Sequence, residues 1–147
     1  MNLSTVWVYA YPAKNFYRGS KIFQHHFYPM IGAMDSDEEI YCAQCIDIHK
    51  NVETWVRNIP KDEQNSFWLP THKDKFYPDF VIKLKSGIVA AVEYKGAHLV
   101  SGDDAKEKDM IGKLWAAKSN GQCRFLMATK RDEKGRDIEA QIKEFLA

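Results

Sequence analysis

The stretch PDFVIKLKSGIVAAVEYKG, residues 78–96, decides the fold that this sequence predicts. Two apolar runs, 77–84 and 88–95, flank the tripeptide KSG at 85–87. Because glycine takes a positive φ angle without steric cost, this tripeptide favours a tight turn between two strands. The sequence therefore predicts an antiparallel hairpin with charged residues at its open end.

The expected register of this hairpin brings Asp79, Glu93 and Lys95 together. Side chains alternate across a strand, so Glu93 and Lys95 share one face, and a turn centred near Ser86 places Asp79 opposite Glu93 within one residue. Two carboxylates so close repel each other unless a cation lies between them, and Mg²⁺ prefers such oxygen ligands. With a lysine to orient water or hold a phosphate, these residues suffice for metal-assisted phosphodiester hydrolysis. The alternative is a solvated ion-pair cluster at a strand end.

Elements on either side of the hairpin predict an α/β fold. Ser36 can cap a helix over 37–49, with Glu39 as its capping-box partner. The other predicted elements are strands over 52–58 and 123–129, and helices over 104–118 and 137–146. The order helix, three strands, helix, strand, helix predicts a mixed central sheet of about four strands flanked by helices.

The length of 147 residues predicts a single domain, in which residues 1–35 form an aromatic-rich N-terminal arm and 36–147 the core. Residues 5–11 of the arm alternate loosely, which is typical of a strand or an extended segment. The residues expected to form the buried stripe of the helix over 104–118 are Ile111, Leu114 and Trp115.

Charge and cysteine content narrow the classes of function. The net charge of +1 gives no overall support for a polyanionic partner, so any contact with nucleic acid must come from local charge placement. Residues 105–147 do hold ten Lys and Arg against seven Asp and Glu. No apolar run approaches the ~20 residues of a membrane span. Three cysteines without a visible secretory signal predict a reducing, cytoplasmic compartment.

The charged residues at the open end of the hairpin also match a known motif. The dipeptide PD at 78–79, followed by EYK at 93–95, is the pattern of the PD-(D/E)xK nuclease superfamily. The longer run FWLPTHKDKFYPDFVIKLKSGIVAAVEYKGAHL, 67–99, resembles the C-terminal endonuclease domain of type III restriction enzymes, the Res subunit. The supporting segments are TWVRN at 54–58, KEKDMIGKLWA at 106–116, FYP at 27–29, and residues 39–47. The resemblance covers residues 23–130 and implies a restriction-endonuclease-like fold.

The resemblance implies a DNA endonuclease with Mg²⁺ as its cofactor, for which Mn²⁺ can substitute. Asp79 and Glu93 would then be the metal-binding carboxylates, and Lys95 the catalytic lysine. In many superfamily members a glutamate on the preceding helix approaches the same metal. Glu39, with Glu38 as the alternative, occupies that place in this sequence.

The implied substrate is double-stranded DNA, and the implied partners are a helicase domain and a methyltransferase or specificity subunit. Cutting both strands needs two active sites, hence a dimer or two converging complexes. The sequence contains no GxxxxGK[ST] loop, so we expect no ATP site and regard the chain as an excised domain or a stand-alone nuclease.

Basic residues around the motif are candidate DNA contacts. The candidates are Arg57, Lys73, Lys106, Lys108 and Lys113. Arg57 could instead pair with an acid, and the lysines at 106–113 could instead form a solvated helix face.

Other patterns leave alternatives open. Cys42, Cys45 and His49 have a metal-ligand spacing, but a closed zinc site needs four ligands, and buried thiols are the alternative. Weaker candidates for a role in the site are the histidines His25, His26, His72 and His98. Two other functions also fit the residues: a non-catalytic nucleic-acid-binding or assembly module on the same fold, and a DNA repair or junction nuclease.

Overall fold

The computed structural model describes residues 11–96 and 102–147 of the chain. Within these residues the helices are α1 (Asp37–Ile48), α2 (Gly102–Ala117) and α3 (Ile138–Leu146). The strands are β1 (Val52–Arg57), β2 (Leu69–Pro70), β3 (Lys75–Phe76), β4 (Phe80–Leu84), β5 (Val89–Tyr94) and β6 (Cys123–Ala128). The α/β class and the order of the main elements are as predicted, and the two-residue strands β2 and β3 are an addition.

The central sheet has four strands in the order β1-β4-β5-β6. Both β1–β4 and β4–β5 are antiparallel, whereas β5–β6 is parallel, so the sheet is mixed as predicted. Phe80 pairs with Val92 across β4 and β5, which places Asp79 and Glu93 opposite each other one residue further out. Gly87 takes a φ of 94° in the turn, a conformation that favours glycine. The predicted hairpin and its register are therefore confirmed.

The two faces of the sheet are covered by different helices. Phe80 and Val92 point toward α1 and α3, where they pack with the fully buried Trp55. Val81 and Ala91 point to the opposite face, where α2 and the β2–β3 hairpin cover them. This alternation follows the strand period of two and puts Asp79 and Glu93 at the edge of the α2 face.

The cap of α1 positions the first acidic residue of the site. Ser36 Oγ accepts the Glu39 N–H at 3.1 Å, as the capping prediction requires. The reciprocal hydrogen bond of the capping box is shifted by one residue. Glu39 Oε2 accepts the N–H of Asp35 at 3.1 Å, not that of Ser36. At the other end, His49 is the C-cap with extended backbone, so the helix stops one residue before its predicted end.

The predicted buried stripe of α2 is wrong at Leu114, a residue that is 52% exposed. The residues of α2 that are fully buried are small, Ala105 and Gly112, because the helix lies very close to β6. A Cβ atom on Gly112 would stand 2.4 Å from the ring of Phe125. Trp115 is partly buried, and its ring lies 5.2 Å from that of Phe67.

The described part of the arm, residues 11–35, packs along the free edge of β1. The Phe27 N–H donates to Trp55 O at 2.8 Å, and the Trp55 N–H donates to His25 O at 3.0 Å. The hydroxyl of Tyr11 donates to Arg57 O at 2.7 Å. The strand or extended segment predicted over 5–11 lies almost entirely outside the described residues. No helix among the described residues combines the length and the hydrophobicity needed to cross a membrane.

Candidate active site

A cavity of about 170 Å³ opens at the end of the sheet where β4 begins and β5 ends. The four residues that the sequence singles out for catalysis or metal binding, Glu39, Asp79, Glu93 and Lys95, all line it. They come from the first turn of α1, the residue before β4, the end of β5 and the residue after β5. The fold therefore brings together residues that lie up to 56 positions apart in the chain.

Main-chain hydrogen bonds hold the two carboxylates of the hairpin in place. The Asp79 N–H donates to Glu93 Oε1 at 3.1 Å, and the Tyr94 N–H donates to Asp79 Oδ2 at 2.8 Å. Each carboxylate is thus tied to the strand that carries the other one. Such fixed geometry is what a ligand site needs, because few rotamers have to be frozen when the ligand binds.

Arg57 forms ion pairs inside this cluster. Its Nη2 lies 3.2 Å from Glu39 Oε1, and its Nη1 lies 3.3 Å from Asp79 Oδ1. The arginine side chain is only 6% exposed. Of the two predictions for Arg57 the structure shows the pairing with acids, and the predicted contact with DNA is corrected because the guanidinium is enclosed.

Asn58 organises the loop that carries Asp79, a role that the sequence did not reveal. Its Nδ2 donates to the carbonyls of Phe67 and Pro78 at 2.8 and 2.9 Å, and its Oδ1 accepts the Phe67 N–H at 3.0 Å. The Asn58 N–H also donates to Asp79 O at 2.8 Å. A polar residue directly after an apolar strand only weakly indicates such a set of hydrogen bonds, since its partners are distant in sequence.

Glu39 and Glu38, the two candidate glutamates of α1, lie in different surroundings. Glu38 accepts a hydrogen bond from the hydroxyl of Tyr94 and does not line the cavity. Glu39 does line the cavity, and its side chain is 5% exposed.

The cavity is short of positive charge. Burial raises the pKa of Asp79 well above its usual range, the charge of Glu93 adds to this, and Arg57 opposes it. Burial also raises the pKa of Glu93, against the opposing charge of Lys108. The pKa of Glu39 rises to about 7, through burial first and the charge of Asp79 second. Each carboxylate would gain from another cation nearby.

The donor set fits a hard divalent cation. Asp79 and Glu93 present carboxylate oxygens, and the nearest cation to Glu93 Oε2, the Lys108 ammonium, is 3.6 Å away. Across residues 11–96 and 102–147, no three His, Cys, Asp or Glu side chains are arranged to hold a metal by themselves. Mg²⁺ does not require three, because it typically takes one or two carboxylates with water and substrate phosphate oxygens.

Lys95 lies between this cavity and a wider one of about 490 Å³. Its N–H donates to Ala128 O at 2.8 Å, which fixes the backbone at the end of the sheet. Among the described residues its ammonium has no ion-pair partner, so it is available to a bound anion. The wider cavity is also lined by Lys113, Arg131 and Lys134, of which the sequence singled out only Lys113.

The remaining lysine candidates lie around the same end of the molecule. Lys108 contacts Glu93 and also pairs with Asp104 at 3.4 Å, so it belongs to the cavity. Lys73 and Lys106 are exposed. The N–H of His72 donates to a carboxylate oxygen of α2 at 3.3 Å, so the turn carrying Lys73 lies beside that helix.

Among the histidine and cysteine candidates, His26, Cys42 and Cys45 have structural environments. His26 is partly buried and its Nε2 accepts the Arg57 N–H at 3.0 Å, while burial lowers its pKa to about 4. Cys42 and Cys45 are free, buried thiols. His72 is exposed, and His98 lies outside the described residues.

Comparison of the chain with protein-family models, with curated proteins and with solved structures gave no significant match. A functional assignment must therefore be argued from the arrangement of these side chains.

Proposed function

We propose that the chain is a Mg²⁺-dependent DNA endonuclease domain of the PD-(D/E)xK class. The observation that carries this proposal is the convergence of Asp79, Glu93 and Lys95 on one cavity, with both carboxylates held by main-chain hydrogen bonds. The motif spacing that led to the resemblance is thus matched by a geometry in which the three side chains can act together.

Asp79 and Glu93 would hold the metal ion. Bound there, Mg²⁺ would supply acidification of a water molecule and neutralisation of the charge that develops on the phosphate. The ammonium of Lys95 has no competing carboxylate among the described residues, so it can hold a phosphate oxygen or orient the attacking water. The hydrogen bonds from the backbone of Asp79 and Tyr94 keep the carboxylates oriented while substrate binds.

The charge around the cavity supports a nucleic-acid substrate, and we propose double-stranded DNA. Lys95 also lines the wider cavity, where the basic residues outnumber the acidic residues Asp109, Asp132 and Glu133. Lys113, Arg131 and Lys134 can meet successive backbone phosphates there. Lys73 and Lys106 are exposed on the side of α2 and extend this set.

We also propose the partners and setting that the resemblance implies. A helicase domain and a methyltransferase or specificity subunit would direct cleavage, a second copy of the site would cut the second strand, and the free thiols suit the cytoplasm. The basic set is small, so this chain alone should bind DNA weakly, and a partner would supply the missing affinity.

The test is cleavage of supercoiled plasmid by the purified chain in Mg²⁺ or Mn²⁺. We expect nicked or linear product, and a rate lowered roughly 100-fold or more in Asp79→Asn and Lys95→Ala, because each removes a group that acts on the reacting phosphate. Lys83→Ala is a matched control. Lys83 is an exposed lysine of the same hairpin that pairs with Glu53 far from the cavity, so its removal should leave the rate unchanged.

Cleavage that persists in Asp79→Asn or Lys95→Ala would overturn the assignment. The near-neutral charge favours a second candidate, a non-catalytic nucleic-acid-binding or assembly module on the same fold. That candidate predicts salt-sensitive DNA binding that needs no divalent ion and gives no product even when helicase and methyltransferase subunits are added.

A further inference from the structure

Arg57 is held inside the carboxylate cluster by main-chain acceptors. Its Nε donates to Ala33 O at 3.2 Å, and its Nη1 donates to Asn58 O at 2.9 Å. A guanidinium stays charged across the pH range in which proteins fold. Arg57 is therefore a fixed positive charge between Glu39 and Asp79, which it contacts at 3.2 and 3.3 Å.

The two cations of the cluster differ in how easily they can be displaced. The Lys108 ammonium is 3.6 Å from Glu93 Oε2, its side chain is 32% exposed, and it can turn to Asp104 instead. Arg57 is 6% exposed and is bound on several sides. An incoming metal ion can therefore displace Lys108 more easily than Arg57.

The carboxylate oxygens of the cluster fall into two groups, those that face Arg57 and those that do not. Glu39 Oε1 is buried and makes no hydrogen bond, so the charge of Arg57 is its partner. Asp79 Oδ1 also faces Arg57. Asp79 Oδ2 and the carboxylate of Glu93 instead accept hydrogen bonds from the backbone of the β4–β5 hairpin. A divalent ion beside Glu39 would meet the guanidinium at short range, and like charges repel strongly where water is excluded.

We propose that Arg57 takes the place of a second metal ion, so that the site accepts a single divalent cation, held by Asp79 and Glu93, with Glu39 outside its ligand set. The inference rests on the proposed function and departs from the expectation that Glu39 binds the metal. In this arrangement Arg57 is a positioning residue, because it holds Glu39 and orients Asp79 without touching the substrate.

The test is the binding of Mn²⁺ to the intact chain without DNA, by titration calorimetry and by electron paramagnetic resonance of the free ion. We expect a stoichiometry of one. Asp79→Asn and Glu93→Gln should weaken binding more than about tenfold, whereas Glu39→Gln should change the dissociation constant less than about threefold. Glu53→Gln, a surface carboxylate paired with Lys83, is the matched control and should change nothing.

Two ions per chain, or a loss above about tenfold in Glu39→Gln, would overturn the inference. Absence of Mn²⁺ binding would overturn it together with the metal dependence of the proposed nuclease. One bound ion without plasmid cleavage would support the inference and count against the nuclease proposal, so the two failures are distinguishable.

A second variant tests Arg57 directly. Arg57→Gln frees Glu39 and Asp79 to bind a second cation, so we expect a lower melting temperature in chelator and a larger rise with Mn²⁺ than the parent chain shows. An equal rise in both chains would contradict the inference. If this variant does not fold, Arg57→Gln combined with Glu39→Gln removes both charges, and we expect it to bind one ion, whereas loss of that ion would contradict the inference.

Discussion

Asp79, Glu93 and Glu39 are buried acids whose charges exceed the fixed positive charge around them. Burial is the first cause of the raised pKa in all three, and Arg57 and Lys108 offset it only in part. The folded chain without a cation therefore carries an electrostatic cost at neutral pH, as is common in sites built to bind a charged ligand.

Removal of the Glu39 charge should stabilise the chain without metal. The pKa of Glu39 is raised to about 7, so its contribution to stability is complete below the unfolded value near 4.5 and is lost as the pH rises through 7. We expect Glu39→Gln to be more stable than the parent chain at pH 8 by up to about 3 kcal/mol, and much less so at pH 4.5. Urea unfolding in chelator measures this, and a constant difference at the two pH values would contradict it.

His26 should produce the opposite pH dependence. Burial lowers its pKa to about 4, and the neutral ring both accepts the Arg57 N–H and contacts Tyr28 O through Nδ1. Its contribution is present above the unfolded value near 6.5 and is lost as the pH falls toward 4, by up to about 3 kcal/mol.

The measurement is the free energy of unfolding of the parent chain and of His26→Gln between pH 7 and pH 4. The acids titrate alike in both chains, so the parent should lose more stability than the variant. Parallel curves would show that His26 does not titrate as its environment requires.

At the scale of elements, the β4–β5 hairpin, the start of α1 and α2 together build the cavity. The hairpin supplies Lys95 and the carboxylates of Asp79 and Glu93. Helix α2 packs against one face of the hairpin, and its Lys108 contacts Glu93. This close approach depends on Gly112, whose position leaves no room for a side chain beside Phe125.

Gly112→Ala should therefore destabilise the protein although alanine favours helices. A Cβ at this position would meet the Phe125 ring at 2.4 Å, and overpacking of this kind costs about 1–3 kcal/mol, against a gain of about 1 kcal/mol in helix propensity. Gly102→Ala is the matched control, because a Cβ there meets nothing within 4 Å. Thermal unfolding should show a lower melting temperature for Gly112→Ala alone, and equal values would contradict the packing argument.

At the scale of the whole molecule, the net charge of +1 does not describe the local charge around the two cavities. Acidic residues outnumber basic ones at the first cavity, whereas basic residues outnumber acidic ones at the adjoining cavity. A near-zero total is therefore compatible with a local field that attracts both a metal ion and a phosphate backbone.

Mg²⁺ should stabilise the folded chain by mass action. At about 100 times the dissociation constant, one bound ion contributes about 2.7 kcal/mol, which for a chain of this size raises the melting temperature by roughly 5–10 °C. Asp79→Asn should abolish the rise. If Mg²⁺ still raises the melting temperature of Asp79→Asn, the ion binds elsewhere.

DNA affinity should depend on the basic residues of the wider cavity. Lys113→Ala combined with Lys134→Ala should weaken binding and lower the slope of log affinity against log salt by about 2, since each phosphate contact contributes about 1. Lys50→Ala combined with Lys143→Ala is the control, because these lysines lie at the other end of α1. Fluorescence anisotropy with a short DNA duplex measures the affinity of both double variants. Equal salt slopes in the two would show that DNA binds to another surface.

Most of the fold was predictable because its signals are local. The Ser36 cap, the apolar alternation of the hairpin and the positive φ of Gly87 each act within a few residues. The β2–β3 hairpin was not predictable, since strands of two residues carry no periodicity. The exposure of Leu114 was not predictable, because its neighbours, not its own helix, decide how close α2 can approach the sheet.

Local sequence signals were sufficient to predict the hairpin, the opposition of Asp79 and Glu93, and Lys95 beside them, because strand register follows from a turn and a period of two. The partners of Arg57, in contrast, depend on how distant parts of the chain pack together. Its acids come from α1 and from the residue before β4, 18 and 22 positions away, and no local pattern encodes which of them a buried guanidinium will meet. Burial also raised the pKa values of these acids, because desolvation depends on what the whole chain packs around them.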